Sequence, residues 1–165
     1  MPMVEDLSPM KVGSVGRFRG EHFRITGRVR VESDRGYRNF WSIKGDLAYQ
    51  WIAQCFGNYA LLSEWKGDLP MSDLRGLRPS GKLRLKEGDA YHVEMLSSRF
   101  RYAFEGVLMH ELRVPYDVEV EVGRPPDGKA LLLIEGAKRV SVLSGITVDH
   151  ADLRLENIPS VAQWT

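Results

Sequence analysis

The chain of 165 residues carries 23 Lys and Arg against 22 Asp and Glu, 43% hydrophobic residues and a single Cys. That length holds one compact domain or two very small ones, and the hydrophobic share excludes wholesale disorder. One Cys excludes an internal disulfide framework and any all-Cys zinc site.

No apolar run approaches the roughly 18 residues of a membrane-spanning helix. The opening MPMVEDLSPMK is mixed and acidic, unlike a signal peptide, so the expectation is a soluble, reduced, cytoplasmic protein. The net charge of +1 conceals −2 over residues 1–10, +6 over 11–44, +1 over 45–104 and −4 over 105–165. Such asymmetry fits a polyanion-binding half, two halves that attract each other, or a head-to-tail oligomer.

In chain order, residues 11–20 read as a strand with Gly at both ends. Residues 22–31 alternate, Phe23, Ile25, Val29 and Val31 against Arg24, Thr26, Arg28 and Arg30, which is the period of a half-buried strand. Gly27 falls in the apolar register and predicts a bulge or a close backbone approach. Residues 33–36 (SDRG) are a turn cluster, 37–43 are aromatic and β-prone, and 44–46 turn the chain again. Residues 47–56 carry Tyr49, Trp51 and Ala53 in one register, and within 46–56 alone could a helix compete. Gly57 and Asn58 turn into a strand over 59–65.

Residues 66–81 are dense in Gly, Pro, Asp and Ser without a period. β character then resumes at 83–85, 90–96, 100–108 and 115–122, the last alternating Val118, Val120 and Val122 against Asp117, Glu119 and Glu121. A loop at 124–128 precedes a wholly apolar strand at 130–134, predicted to be buried on both faces. Closing strands are read at 140–143 and 152–155. The fold class is therefore all-β, with strongly coiled antiparallel sheets. The organisation is an N-terminal extension (1–10), a first β lobe (11–65), a connection (66–81), a second β lobe (82–157) and a tail (158–165). The alternative is one domain over 11–157.

Several motifs carry a resemblance. Residues 12–16 (VGSVG), Gly20-x-x-Phe-Arg-Ile-x-Gly27-Arg-Val-Arg, Phe40-Trp41, Trp51-Ile52 and Gly57-Asn-Tyr59 resemble the opening of the bacterial domain-of-unknown-function 4178 family. Residues 104–108 (FEGVL), Glu135 and 145–153 (GITVDHADL) are similar to its later part, so the resemblance spans about 11 to 156. One departure is Met109-His110, where the family continues with Pro and an aromatic. The family has no established activity. Its members tend to be encoded beside polyamine-synthesis genes and small membrane proteins, in clusters linked to envelope stress, so the resemblance implies an accessory role.

The sites read as follows. Cys55 has no neighbouring base in sequence that would make it a nucleophile and reads as a core residue. His22, His92, His110 and His150 lie too far apart for a local metal signature, although His92 and Glu94 could meet His110 across neighbouring strands. No catalytic, cofactor or metal residues are assigned.

Arg17, Arg19, Arg24, Arg28 and Arg30 form a candidate polyanion face. With Tyr37, Phe40, Trp41 and Tyr49 they would suit single-stranded nucleic acid or an anionic membrane surface. Against that stands the ordinary solvent face of a strand, and a pI of about 7.9 is not strongly basic. Asp117, Glu119 and Glu121 are candidate contacts for a partner or for a cation such as a polyamine, or they pair with Arg24, Arg28 and Arg30 within or between chains. Trp41, Trp51, Tyr59 and Trp65 read as core, whereas Trp164 in the polar tail is a candidate partner anchor.

The functional expectation is a non-enzymatic binding or assembly module with a protein partner or a homo-oligomer. Polyanion binding, and a polyamine receptor or enzyme with a cleft between lobes, are the alternatives.

Overall fold

Among the described residues, short β-rich runs separated by tight turns give eleven strands: β1 Val15–Phe18, β2 Glu21–Ser33, β3 Gly36–Gly45, β4 Trp51–Cys55, β5 Asn58–Trp65, β6 Lys82–Arg84, β7 Ala90–Ser98, β8 Arg101–Gly106, β9 Val118–Arg124, β10 Gly128–Glu135 and β11 Arg139–Val148. The structure is a computed structural model and describes residues 10–55, 58–67, 69, 74, 77–84, 90–136 and 139–156. All strands belong to one antiparallel sheet in the order β1-β2-β3-β4-β5-β11-β10-β9-β7-β6, with β8 paired to β2. The two sequence halves are thus hydrogen-bonded to each other twice, β11 to β5 and β8 to β2. No described helix is long and apolar enough to cross a membrane.

The sheet curls without closing into a barrel. Strands β3 and β9 are separated in the ladder by β4, β5, β11 and β10, yet Arg38 of β3 touches Glu119 and Glu121 of β9. The concave core joins Val29, Val31, Phe40, Trp51, Leu62, Leu131, Leu133 and Leu143, so both halves supply it. Residues 107–116 cross this face, placing Leu112 and Tyr116 in the core. Two further cores cover the convex face. One holds Phe23, Ile25, Trp41 and Ile52 under Phe18 and Leu153. The other holds Val120, Val122, Ala130 and Leu132 under Leu74 and Leu83.

The β10 stretch Ala130–Leu133 is buried throughout, as an apolar run without alternation predicts.

The two ends of the sheet approach at the β2–β3 turn. Asp34 N–H donates to the Ser98 carbonyl at 3.0 Å, Ser98 N–H donates back to the Asp34 carboxylate at 2.8 Å, and Arg35 Nε donates to the Leu96 carbonyl at 3.3 Å. From Ser98 the chain passes through Arg99, whose φ is +63°, into β8 on the far edge of β2. β7 and β8 are therefore consecutive but lie in different parts of the ladder.

The strand expected within 47–56 forms as β4, with Trp51 and Ala53 entering the concave core and Ile52 the convex one. Two expectations need correction. Residues 152–155 are not a strand. Residues His150–Leu153 form a 3-10 turn in which Asp149 N–H donates to the Asp152 carboxylate, and only Glu156 bridges to Val15.

The alternation of β2 is also interrupted. Ile25 pairs with Ile43 but Gly27 pairs with Ser42, so Thr26 is an extra residue and the faces swap. Both readings of Gly27 hold, since a Cβ there would meet the backbone of Val107 at 2.5 Å.

Candidate functional site

The bulge at Thr26 decides where the arginines point. Before it, Ile25 faces the convex core; after it, Val29 and Val31 face the concave core although their parity is the same. Arg24 therefore lies on one face, beside Lys44 in the ladder, and Arg28 and Arg30 lie on the other.

Arg28 is buried, with its guanidinium 4.8 Å from the Trp41 ring and 3.1 Å from the Glu105 carboxylate. Arg30 stacks 4.1 Å over the Tyr37 ring, with Glu32 at 3.7 Å. Arg17, Arg19 and Arg24 are exposed. The five candidate arginines do not form one continuous surface.

The acidic strand faces inward. Glu119 and Glu121 are 3% and 5% exposed, and Arg38 between them is 2% exposed. Arg38 Nε lies 3.0 Å from Glu119, off the angle of a hydrogen bond, while one of its terminal amines donates to Glu121 at 3.1 Å and the other to the Gln54 carbonyl at 3.0 Å. Lys129 Nζ donates to Glu94 at 2.7 Å and lies 3.8 Å from Glu121. Five side chains from β3, β7, β9 and β10 thus form one chain of charges at the end of the concave core.

Burial raises the Glu119 carboxyl above its ordinary range, with Glu121 adding to the shift and Arg38 opposing it.

The expected meeting of the basic and acidic regions is therefore made within the chain, by Arg28 with Glu105 and by Arg38 with Glu119 and Glu121, so the partner of the acidic strand is Arg38 and not Arg24, Arg28 or Arg30. Alternation along 117–122 showed that the carboxylates share a face but not that this face is interior. Asp117 is exposed, and its carboxylate accepts from Gly136 N–H at 2.5 Å. Beside the charges, Tyr102 Oη accepts from Tyr116 N–H at 2.9 Å and donates to its carbonyl at 3.1 Å. The buried Tyr116 hydroxyl has no partner among the described residues, and burial raises its pKa strongly.

Sequence reasoning missed the edge formed by β8. Gly27–Glu32 of β2 pair with Arg101–Gly106 of β8, and the other side of β8 has no ladder partner among the described residues. Val107 N–H donates to the Thr26 carbonyl, and β2 and β3 are joined by a two-residue turn between paired Ser33 and Gly36. Both fix the alternation. Arg101, Ala103 and Glu105 direct their backbone groups to β2, and Tyr102, Phe104 and Gly106 direct theirs outward. Phe104 and Val107 are 56% and 65% exposed here. The signal in the sequence was the uninterrupted RYAFEGV run, which does not reveal which edge of it is left open.

A separate cleft of about 480 Å³ is lined by Phe18, Arg19, Asp127, Thr147, Asp152 and Arg154. His22, His92 and His150 are exposed, and among the described residues no three His, Cys, Asp or Glu come together as a metal site would require. Trp164 and the Cys55 side chain lie outside the described residues. No protein family, curated protein or solved structure matches the chain.

Proposed function

We propose that the chain is a non-enzymatic docking module that engages a polypeptide by strand addition to β8. The observation that carries this is an edge strand with outward backbone groups at Tyr102, Phe104 and Gly106, with Phe104 and Val107 exposed. Main-chain pairing supplies affinity in strand addition, and alternate side chains supply specificity. Open apolar edges are ordinarily blunted in proteins that stay alone. The resemblance to the domain-of-unknown-function 4178 family supports a setting for this role, as a cytoplasmic accessory protein in bacterial gene clusters linked to envelope stress or polyamine synthesis.

The test places a photo-crosslinking phenylalanine analogue at Val107 in the native host. Covalent polypeptide adducts that disappear with Phe104→Pro, which removes an outward N–H without touching the β2 ladder, are expected. No adduct, or adducts indifferent to Phe104→Pro, would overturn the reading.

A second reading is polyanion binding. The exposed row of Arg24 and Lys44, with Arg17 on the adjoining strand, favours it. Affinity for a single-stranded oligonucleotide should then fall steeply with salt and weaken in Arg17→Ser/Arg24→Ser/Lys44→Ser. A flat salt response would dispose of it.

A further inference from the structure

The geometry points to a second copy of this chain as the occupant of the β8 edge, paired antiparallel about a two-fold axis at Ala103. This inference rests on the docking reading above and adds the partner and the register. A two-fold interface sets the same patch against itself, so its sequence must be self-complementary. With Ala103 opposite Ala103 of the second copy, Tyr102 stands opposite Phe104 and Arg101 opposite Glu105, each twice.

The hydrogen-bond phase agrees. Because Tyr102 and Phe104 direct their backbone groups outward, the two Tyr102–Phe104 pairs become the bonded pairs, and Ala103 sits at a close, non-bonded pair.

The side chains behind β8 extend the match over four strands. Arg28 of β2 already holds Glu105 at 3.1 Å, and Glu32 of β2 stands opposite Arg101 in the ladder. Across the joined edges one row then reads Arg28, Glu105, Arg101, Glu32, alternating in charge at every step, and the two-fold generates the same row again. On the opposite face the row reads Val29, Phe104, Tyr102, Val31, apolar throughout. Displacing the register by two residues sets Ala103 against Glu105 or against Arg101 and loses both charge pairs. Opposite charges and aromatic pairs directly across strands are the pairs that stabilise a sheet. Pairing also covers Phe104, the most exposed aromatic of the edge.

The experiment uses the full chain. Sedimentation equilibrium should give twice the 18.8 kDa chain mass at high concentration for wild type and the single mass for Phe104→Pro, with the far-UV circular dichroism unchanged. In a Cys55→Ser background, Ala103→Cys should oxidise to a disulfide-linked pair, since Cα atoms in a non-bonded antiparallel pair lie about 4.5 Å apart, within disulfide reach. Arg101→Cys should not link to itself, because its opposite is Glu105. Arg101→Glu should weaken association at least tenfold without unfolding the chain.

A monomeric wild type with no Ala103→Cys pair overturns self-pairing, as does a linked pair formed equally well by Arg101→Cys. If photo-adducts at Val107 then contain a different protein, the docking reading stands and self-pairing alone falls. If there are no adducts at all, both fall.

Discussion

Arg38 Nε lies 3.0 Å from Glu119 Oε1, with both side chains almost entirely removed from solvent. One residue comes from the basic first half of the sequence and the other from the acidic second half, 81 positions later. Their meeting requires the sheet to curl until β3 faces β9. The pair therefore reports on the whole architecture.

Removing Arg38 should be costly. Arg38→Met leaves Glu119 and Glu121 buried without their shared cation, and losing one partner of a buried ion pair costs about 3–5 kcal/mol. Urea denaturation should show this as a large fall in midpoint. Adding Glu119→Gln and Glu121→Gln to Arg38→Met should recover a substantial part, because no uncompensated charge remains. A midpoint unchanged in Arg38→Met would mean the network contributes nothing.

Glu119 should couple stability to pH. Its folded pKa is raised, chiefly by burial, so the folded state holds a proton that the unfolded state releases. The associated stability is complete below the ordinary carboxyl value of 4.5 and is lost as pH rises from there through the raised value. Relative to Glu119→Gln, wild type should therefore weaken with rising pH across that window. Urea midpoints of the two proteins measured at matched pH values check the sign; a constant difference would show that Glu119 titrates normally.

Gly27 should tolerate no side chain. Its backbone lies against Val107 where residues 107–116 leave β8 for the concave face, so Gly27→Ala must push that crossing segment away. Overpacking of this kind costs about 1–3 kcal/mol. A thermal melt indistinguishable from wild type would show that the segment yields freely.

The Asp34–Ser98 bonds hold the sheet ends together at the surface. Asp34→Ala removes the carboxylate that accepts from Ser98 N–H and should cost about 0.5–1.5 kcal/mol. Amide exchange should rise at Ser98 and remain unchanged in the buried β10. Exchange rising equally throughout would mean that the whole sheet opens together.

Much of the fold was legible from single strands. Alternation marked β2 and β9, an unbroken apolar run marked β10, and Gly27 announced a bulge. The sites were less legible because they depend on which strands become neighbours. Alternation in 117–122 gives two faces but does not say that the carboxylate face meets Arg38. Arg24, Arg28 and Arg30 share a parity, yet the single inserted residue Thr26 puts Arg24 on one face and Arg28 and Arg30 on the other. Among the described residues the outer edge of β8 is left without a ladder partner because the chain after Ser98 leaves β7 and pairs with β2. That choice between distant partners leaves no local mark in the residues 101–106.

The most direct test of the open edge is amide exchange along β8, followed by NMR in dilute and concentrated solutions of the purified chain. The N–H groups of Arg101, Ala103 and Glu105, which face β2, should be protected at both concentrations. Those of Tyr102 and Phe104 should exchange freely when dilute and become protected when concentrated. Protection of Tyr102 and Phe104 even at high dilution would show the edge to be closed within the chain. Free exchange at both concentrations would show that no second copy occupies it.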